Sequence, residues 1–149
     1  MYRSSGLSGY TNEIRSDPHH VEARKRPGKV EVRFADGECT LQTPEGIVHA
    51  KPGDAILTGS GGERWRVSRA HFAAKYEPLA PARTGDAGCY RALPYRVMAL
   101  RMSGRFEVVL SDGVSRLRGH AGDWLVDYGD GSLGIVAPMT FAETYEILA

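Results

Sequence analysis

One stretch of this chain occurs twice. KPGDAILTGSGGERWRVSRAHFAAKYEPL, residues 51–79, matches HAGDWLVDYGDGSLGIVAPMTFAETYEIL, residues 120–148, without a gap. A shift of 69 positions lays Gly53 on Gly122, Asp54 on Asp123, Gly62 on Gly131 and Val67 on Val136. The same shift lays Phe72 on Phe141, Tyr76 on Tyr145, Glu77 on Glu146 and Leu79 on Leu148. Self-similarity at a fixed period means one supersecondary unit used more than once, so the fold must satisfy the same small pattern twice.

The first copy is expected over residues 27–79 and the second over 94–149, joined by a linker at 80–93 and preceded by an arm at 1–26. The arm is polar, with Asn, Ser, Gly and Asp-Pro punctuation and no apolar period, and reads as loosely ordered, tied down locally at Tyr2, Leu7 or Tyr10. In KVEVRFA, residues 29–35, Val30, Val32 and Phe34 alternate with charged residues, the signature of a strand buried on one face. Lys51-Pro52-Gly53-Asp54 reads as a tight turn, because Pro presets φ, Gly supplies positive φ and Asp bonds nearby backbone. In ERWRV, Trp65 and Val67 face one side and Arg64 and Arg66 the other. Ser68 is placed to cap a short helix over 69–77, on which Phe72, Tyr76 and Leu79 form one stripe. The second copy repeats this order, starting near Pro94 with Val97 at the place of Val30, a shift of 67, and ending in a helix near 139–146.

The fold class expected from this pattern is α+β: two pseudo-equivalent, mostly antiparallel β-rich units, each ending in a short helix. A unit of some 53 residues is marginal alone. The two are therefore expected to pack as one pseudo-twofold domain.

A net charge of +1 supplies no electrostatic case for nucleic acid or a membrane surface. No apolar stretch approaches the roughly 20 residues of a membrane helix, and the first residues lack the apolar core of a secretory signal. Cys39 and Cys89 define neither a disulfide framework nor a metal site and are read as free thiols. The expected compartment is the cytoplasm.

The Gly-Asp turn, the following glycines, and the closing Phe and Tyr-Glu resemble a family named for its PGDYG motif, common in phage and bacterial proteins. PGKVEVRFA and LPYRVMALR also look like its first strand, so the resemblance covers most of 27–148 and is read as two tandem copies. It implies a relative and no reaction. The first copy keeps Pro52, Gly59, Gly62-Glu63 and Trp65 but has Ala55 where the motif has an aromatic; the second keeps Trp124 there but has Ala121, Ser132, Gly134 and Ile135 at other motif positions.

Candidate chemistry is sparse. Asp54 and Asp123 recur beside glycine, which suits a general base or a metal ligand but equally a turn that needs a backbone acceptor. Glu77 and Glu146 recur at the expected helix ends, where a carboxylate opposes the helix dipole and calls for a partner such as Arg. Gly59, Gly61 and Gly62 lack the Lys-Ser/Thr of a phosphate loop. His19-His20, beside Pro18, has no further metal ligands at fixed spacing. No Ser-His-Asp logic, HExxH, CxxC or dinucleotide fingerprint is present.

The leading expectation is a non-catalytic cytosolic binding or interaction module, its partner a protein or small molecule, with any pocket lined by Glu63, Arg64, Trp65, Arg66, Trp124 and Tyr128. No catalytic residue, metal or cofactor is expected. The alternative is an enzyme acting on a phosphorylated or nucleotide-like small molecule through Asp54, Glu63 and His71, with His49 as a further acid–base group. The weaker alternative is nucleic-acid binding through Arg24, Lys25 and Arg26 together with Arg64 to Arg69. Gly53, Asp54, Gly122, Asp123, Phe72, Tyr76, Phe141 and Tyr145 are expected to be structural.

Overall fold

Gly53 takes φ +88° and Gly122 φ +95°, the left-handed region that glycine enters at little cost. Each glycine sits in a turn closed by the aspartate that follows it. Asp54 N–H donates to Lys51 C=O at 3.0 Å, and its carboxylate accepts from Lys51 N–H at 2.9 Å. Asp123 repeats both bonds with His120, at 3.1 and 3.0 Å. The turn is then clamped to the end of an earlier strand: Gly53 N–H donates to Ala35 C=O and Ala35 N–H to Asp54 C=O, as Gly122 and Asp123 do with Met102. The recurring aspartates thus fasten one strand end to the next strand start.

The computed structural model describes residues 2–4, 10 and 12–148. In chain order come β1 (Tyr2–Arg3), α1 (Asn12–Arg15), β2 (Val21–Lys25), β3 (Lys29–Phe34), β4 (Cys39–Thr43) and β5 (Gly46–Ala50). Next are β6 (Ala55–Thr58), β7 (Arg64–Val67), α2 (Arg69–Lys75), β8 (Tyr76–Pro78), β9 (Gly88–Ala92) and β10 (Arg96–Arg101). The chain closes with β11 (Phe106–Val109), β12 (Arg116–Gly119), β13 (Trp124–Asp127), β14 (Leu133–Val136), α3 (Pro138–Thr144) and β15 (Tyr145–Leu148). Among the described residues no helix is long and apolar enough to cross a membrane.

The fold is mostly β, with 47% strand and 12% helix, which overturns the α+β expectation of units ended by helices. The helices stop early because the residue that follows each is taken into a sheet. Tyr76 and Tyr145 adopt extended backbone, φ −136° and −127°, and open β8 and β15 rather than a last helical turn. Their phenol rings still stack on Phe72 and Phe141, each pair 5.1 Å between centroids, so of the expected helical stripe only the Phe–Tyr contact is kept, across a helix-to-strand junction. Ser68 does cap α2, accepting from His71 N–H at 3.4 Å; α3 starts instead at Ala137 with Pro138 in its first turn and no side-chain cap.

Contacts divide the chain into two compact units: a mid-chain unit, residues 26–94, and a terminal unit, residues 1–25 with 95–149. The mid-chain sheet runs β7-β6-β3-β9-β8, with the hairpin β4-β5 beside it. The terminal sheet runs β14-β13-β10-β2-β15, with β1-β11-β12 beside it. Each sheet buries one face under its helix. Val30, Val32, Leu57, Phe72, Tyr76 and Tyr90 form one core; Ala23, Val97, Val126, Phe141 and Tyr145 form the other.

Neither unit is a continuous piece of sequence. β2 leads directly into β3, yet it lies antiparallel between β10 and β15, with Ala23 opposite Val97 and Ile147. β9 leads directly into β10, yet it lies antiparallel between β3 and β8, with Tyr90 opposite Val30 and Pro78. The two leading strands have changed places. The registers agree residue for residue under the shifts of 67 and 69 seen in the sequence, and so do the flanking ion pairs. Arg24 meets Glu146 at 3.2 Å, and Arg91 meets Glu77. These pairs are about half exposed and worth at most about 1 kcal/mol, so they mark the register rather than hold it. Glu77 and Glu146 therefore sit in strands, where they face arginine, rather than at helix ends.

Two stretches expected to be irregular contain these central strands: the 1–26 arm holds β2, and the 80–93 linker holds β9. The arm is also anchored elsewhere. Tyr2 packs edge-on against Phe106, with centroids 6.4 Å apart, and the Tyr10 hydroxyl donates to Arg96 C=O at 3.3 Å. Burial, and then the charges of Asp127 and Glu22, push the Tyr10 phenol above its ordinary pKa. Leu7 lies outside the described residues.

Candidate interaction surface

The aromatic residues singled out from sequence belong to the cores. Trp65 packs against the mid-chain core with Val67 and Phe34. Trp124 stacks on Phe141, centroids 4.1 Å apart and planes 10° apart, and Tyr128 packs against the same terminal core. A Cβ on Gly134 would lie 3.0 Å from the Tyr128 hydroxyl, so this ring fills the space above that glycine. Under the 69-residue shift Gly134 stands at the place of Trp65, and Tyr128 at the place of Gly59. One unit fills the corner with an indole on the strand, the other with a phenol from the preceding strand's end. A similar trade links Ala55 and Trp124: in the mid-chain unit Phe34 supplies the ring against Phe72, at 5.5 Å. At these positions the two units fill the space with a ring from different places in the sequence.

This trade is testable. Gly134→Trp alone should destabilise the protein by about 1–3 kcal/mol through overpacking against Tyr128. Adding Tyr128→Gly should recover part of that loss, read as the urea midpoint. Equal losses for the single and double variants would remove the volume argument.

The candidate acid–base residues sit in a turn, a loop, a helix and a strand. Asp54 is buried, and its Oδ2 accepts from Lys51 N–H and from Arg66 Nη1 at 3.2 Å. Arg66 Nε is buried and has no partner among the described residues. The Glu63 carboxylate folds over Gly59 and Gly61, and a Cβ at Gly59 would collide with it. His71 lies in the first turn of α2, whereas His49 lies on the exposed side of β5, opposite Thr40. Among the described residues no three His, Cys, Asp or Glu form a group that could hold a metal ion.

The basic residues are likewise dispersed. Arg24 faces Glu146, and Lys25 is buried with its Nζ 4.9 Å from the Tyr145 ring centroid. Arg66 is committed to Asp54, and the Arg69 side chain runs beside Gly53. Arg64 is exposed, and among the described residues it makes no ion pair.

Sequence reasoning missed a sheet edge. In the terminal unit β11 is covered by β1, which runs parallel to it with Tyr2 beside Val108 and Arg3 beside Val109. Ser4 N–H then donates to Val109 C=O at 2.8 Å, and Ser4 Oγ accepts from Leu133 N–H at 2.9 Å. In the mid-chain unit the matching strand is β4, and among the described residues nothing pairs with its outer edge. Leu110 N–H bonds to Ser115 C=O, so the next residue, Val109, directs its backbone away from β12. By the same alternation Gln42, opposite Ile47, and Thr40, opposite His49, direct theirs outward. Both side chains are exposed, while Leu41 between them is buried. An open edge of this kind accepts an added strand. The signal available in the sequence was CTLQT itself, with a single inward apolar residue flanked by polar ones.

A family model described as PGDYG protein matches residues 46–146. The chain belongs to the PGDYG protein family. The match runs from β5 to β15 and so draws on both units. In this PGDYG protein the Pro-Gly-Asp of the motif is the turn that clamps β3 to β6, and the next glycine makes room for the Glu63 carboxylate. No curated protein and no solved structure matches this PGDYG protein.

Proposed function

We propose that this PGDYG protein is a non-catalytic binding module that receives an extended segment of a partner protein along the outer edge of β4. The supporting observation is the chain's own behaviour at the corresponding edge of the terminal unit, where β1 is added to β11 in parallel. Backbone bonds of this type give affinity with little demand on sequence. The same reading takes the chain as two tandem copies of one unit, supported by the recurrence at 69 positions and the coincident strand registers. A cytoplasmic site of action fits the two free cysteines, one of them exposed. A bacterial or phage source rests on the family resemblance alone.

Gln42→Pro tests the reading. It removes an outward N–H while leaving the bonds of β4 to β5 in place. The variant should keep the wild-type unfolding midpoint within about 1 kcal/mol and lose binding of selected 12-residue peptides by tenfold or more. Unchanged peptide affinity in a folded Gln42→Pro protein would end the proposal.

A further inference from the structure

The added strand of the terminal unit also shows where its third residue goes. Ser4 follows the paired Tyr2 and Arg3, and its Oγ meets the backbone N–H of Leu133 at the start of β14. The mid-chain residue at the place of Leu133 is Arg64, at the start of β7, and β4 lies against β7 as β11 lies against β14. Gly59 N–H bonds to Glu63 C=O, so in the next pair, Thr58 with Arg64, the Arg64 N–H points away from β6. A segment entering along β4 would therefore place its third residue at a backbone donor and at an exposed guanidinium of the same residue, one that makes no ion pair among the described residues. Ser4 meets the donor alone, with a leucine side chain beside it.

We propose that the partner segment runs parallel to β4 and carries an aspartate or glutamate as its third residue, bound by the Arg64 guanidinium and the Arg64 N–H. A carboxylate is the group that uses both donors, since its two oxygens accept charge-assisted bonds that are shorter and stronger than neutral ones. Serine or threonine would use the N–H and leave the cation idle, and lysine or arginine would oppose it. This inference rests on the strand-addition reading of β4 and adds the chemistry of the occupant.

The test selects binders of the full-length protein from a displayed library of random 12-residue peptides and maps them by hydrogen exchange. The expected result is slowed exchange at Thr40 and Gln42 with Asp or Glu enriched at one peptide position. Arg64→Ala should weaken a selected acidic peptide by tenfold or more. Changing that peptide's acid to its amide should cost the wild-type protein as much and the Arg64→Ala protein little further. Arg64→Glu should turn the preference toward Lys or Arg at the same position. Arg64 is exposed, so these variants should fold. Peptides that protect Thr40 and Gln42 without any acidic preference would overturn the role of Arg64 and leave strand addition standing. Failure of every peptide to protect those amides would overturn both. Concentration-dependent dimerisation that protects them would overturn the proposal in favour of a second copy of this chain.

Discussion

Cut once between Thr84 and Gly85, the protein is expected to elute as a single species under native conditions. The cut falls in the exposed loop between β8 and β9, where an inserted protease site disturbs neither sheet. The N-terminal fragment then keeps β2, which lies between β10 and β15 of the other fragment, and the C-terminal fragment keeps β9, which lies between β3 and β8. Separation would strip a central strand from both sheets at once, exposing Tyr90 and Ala92 from one core and Ala23 from the other. The fragments should stay together at roughly micromolar concentration and part only in denaturant. Two peaks in native buffer would show that the leading strands are not exchanged.

Asp54→Ala should be among the most destabilising single substitutions, costing about 3–5 kcal/mol. It removes the carboxylate from a buried pair and leaves the Arg66 guanidinium enclosed without a counter-charge. Among the described residues Arg66 Nε has no partner, and no second acceptor for this guanidinium is found beside Asp54. Asp123→Ala is the control. Asp123 holds the same turn through His120 N–H, but the residue at the place of Arg66 is Ile135, so only the turn bond is lost, about 1–2 kcal/mol. Urea unfolding of both variants decides it, and equal losses would show that the buried ion pair contributes nothing beyond the turn. Arg66→Ile, which installs the terminal unit's residue, should also destabilise, because among the described residues it leaves the buried Asp54 carboxylate with only the Lys51 N–H.

The parts of the fold that could be read from sequence were local. The Gly-Asp turns, the alternation in β3, the inward Trp65 and Val67 of β7, and the Ser68 cap all depend on residues within a few positions of one another. What escaped notice depends on distant partners. VEARK and GCYRA are short, and their innermost positions, Ala23 and Ala92, are too small to announce a core strand. Their sheet partners lie up to about 125 positions away for β2, so no window on the sequence contains the pairing. One trace was present: Arg24 stands three residues before Pro27 just as Arg91 stands three before Pro94. Both arginines turned out to face the recurring glutamates. Helix length was misjudged because Phe72, Tyr76 and Leu79 fit a helical stripe, whereas pairing of Tyr76 with Ala92 pulls that residue into a strand. The candidate site was least legible. Sequence draws the eye to tryptophans and arginines, and here Trp65 and Trp124 pack in the cores while Arg24 and Arg66 pair with carboxylates. An open strand edge is written in backbone groups that every residue carries.

The exchanged strands also set an order on synthesis. As the chain leaves the ribosome, the mid-chain unit has all its strands once Ala92 has emerged. The segment bearing β2 is made before any of that unit, yet one of its two neighbours, β15, lies about 120 positions further along the chain. Throughout that interval β2 is tethered by three residues to β3, whose free side is the slot destined for β9. Until β9 has been made, β2 is the strand tethered nearest to that slot, although its own partners are β10 and β15.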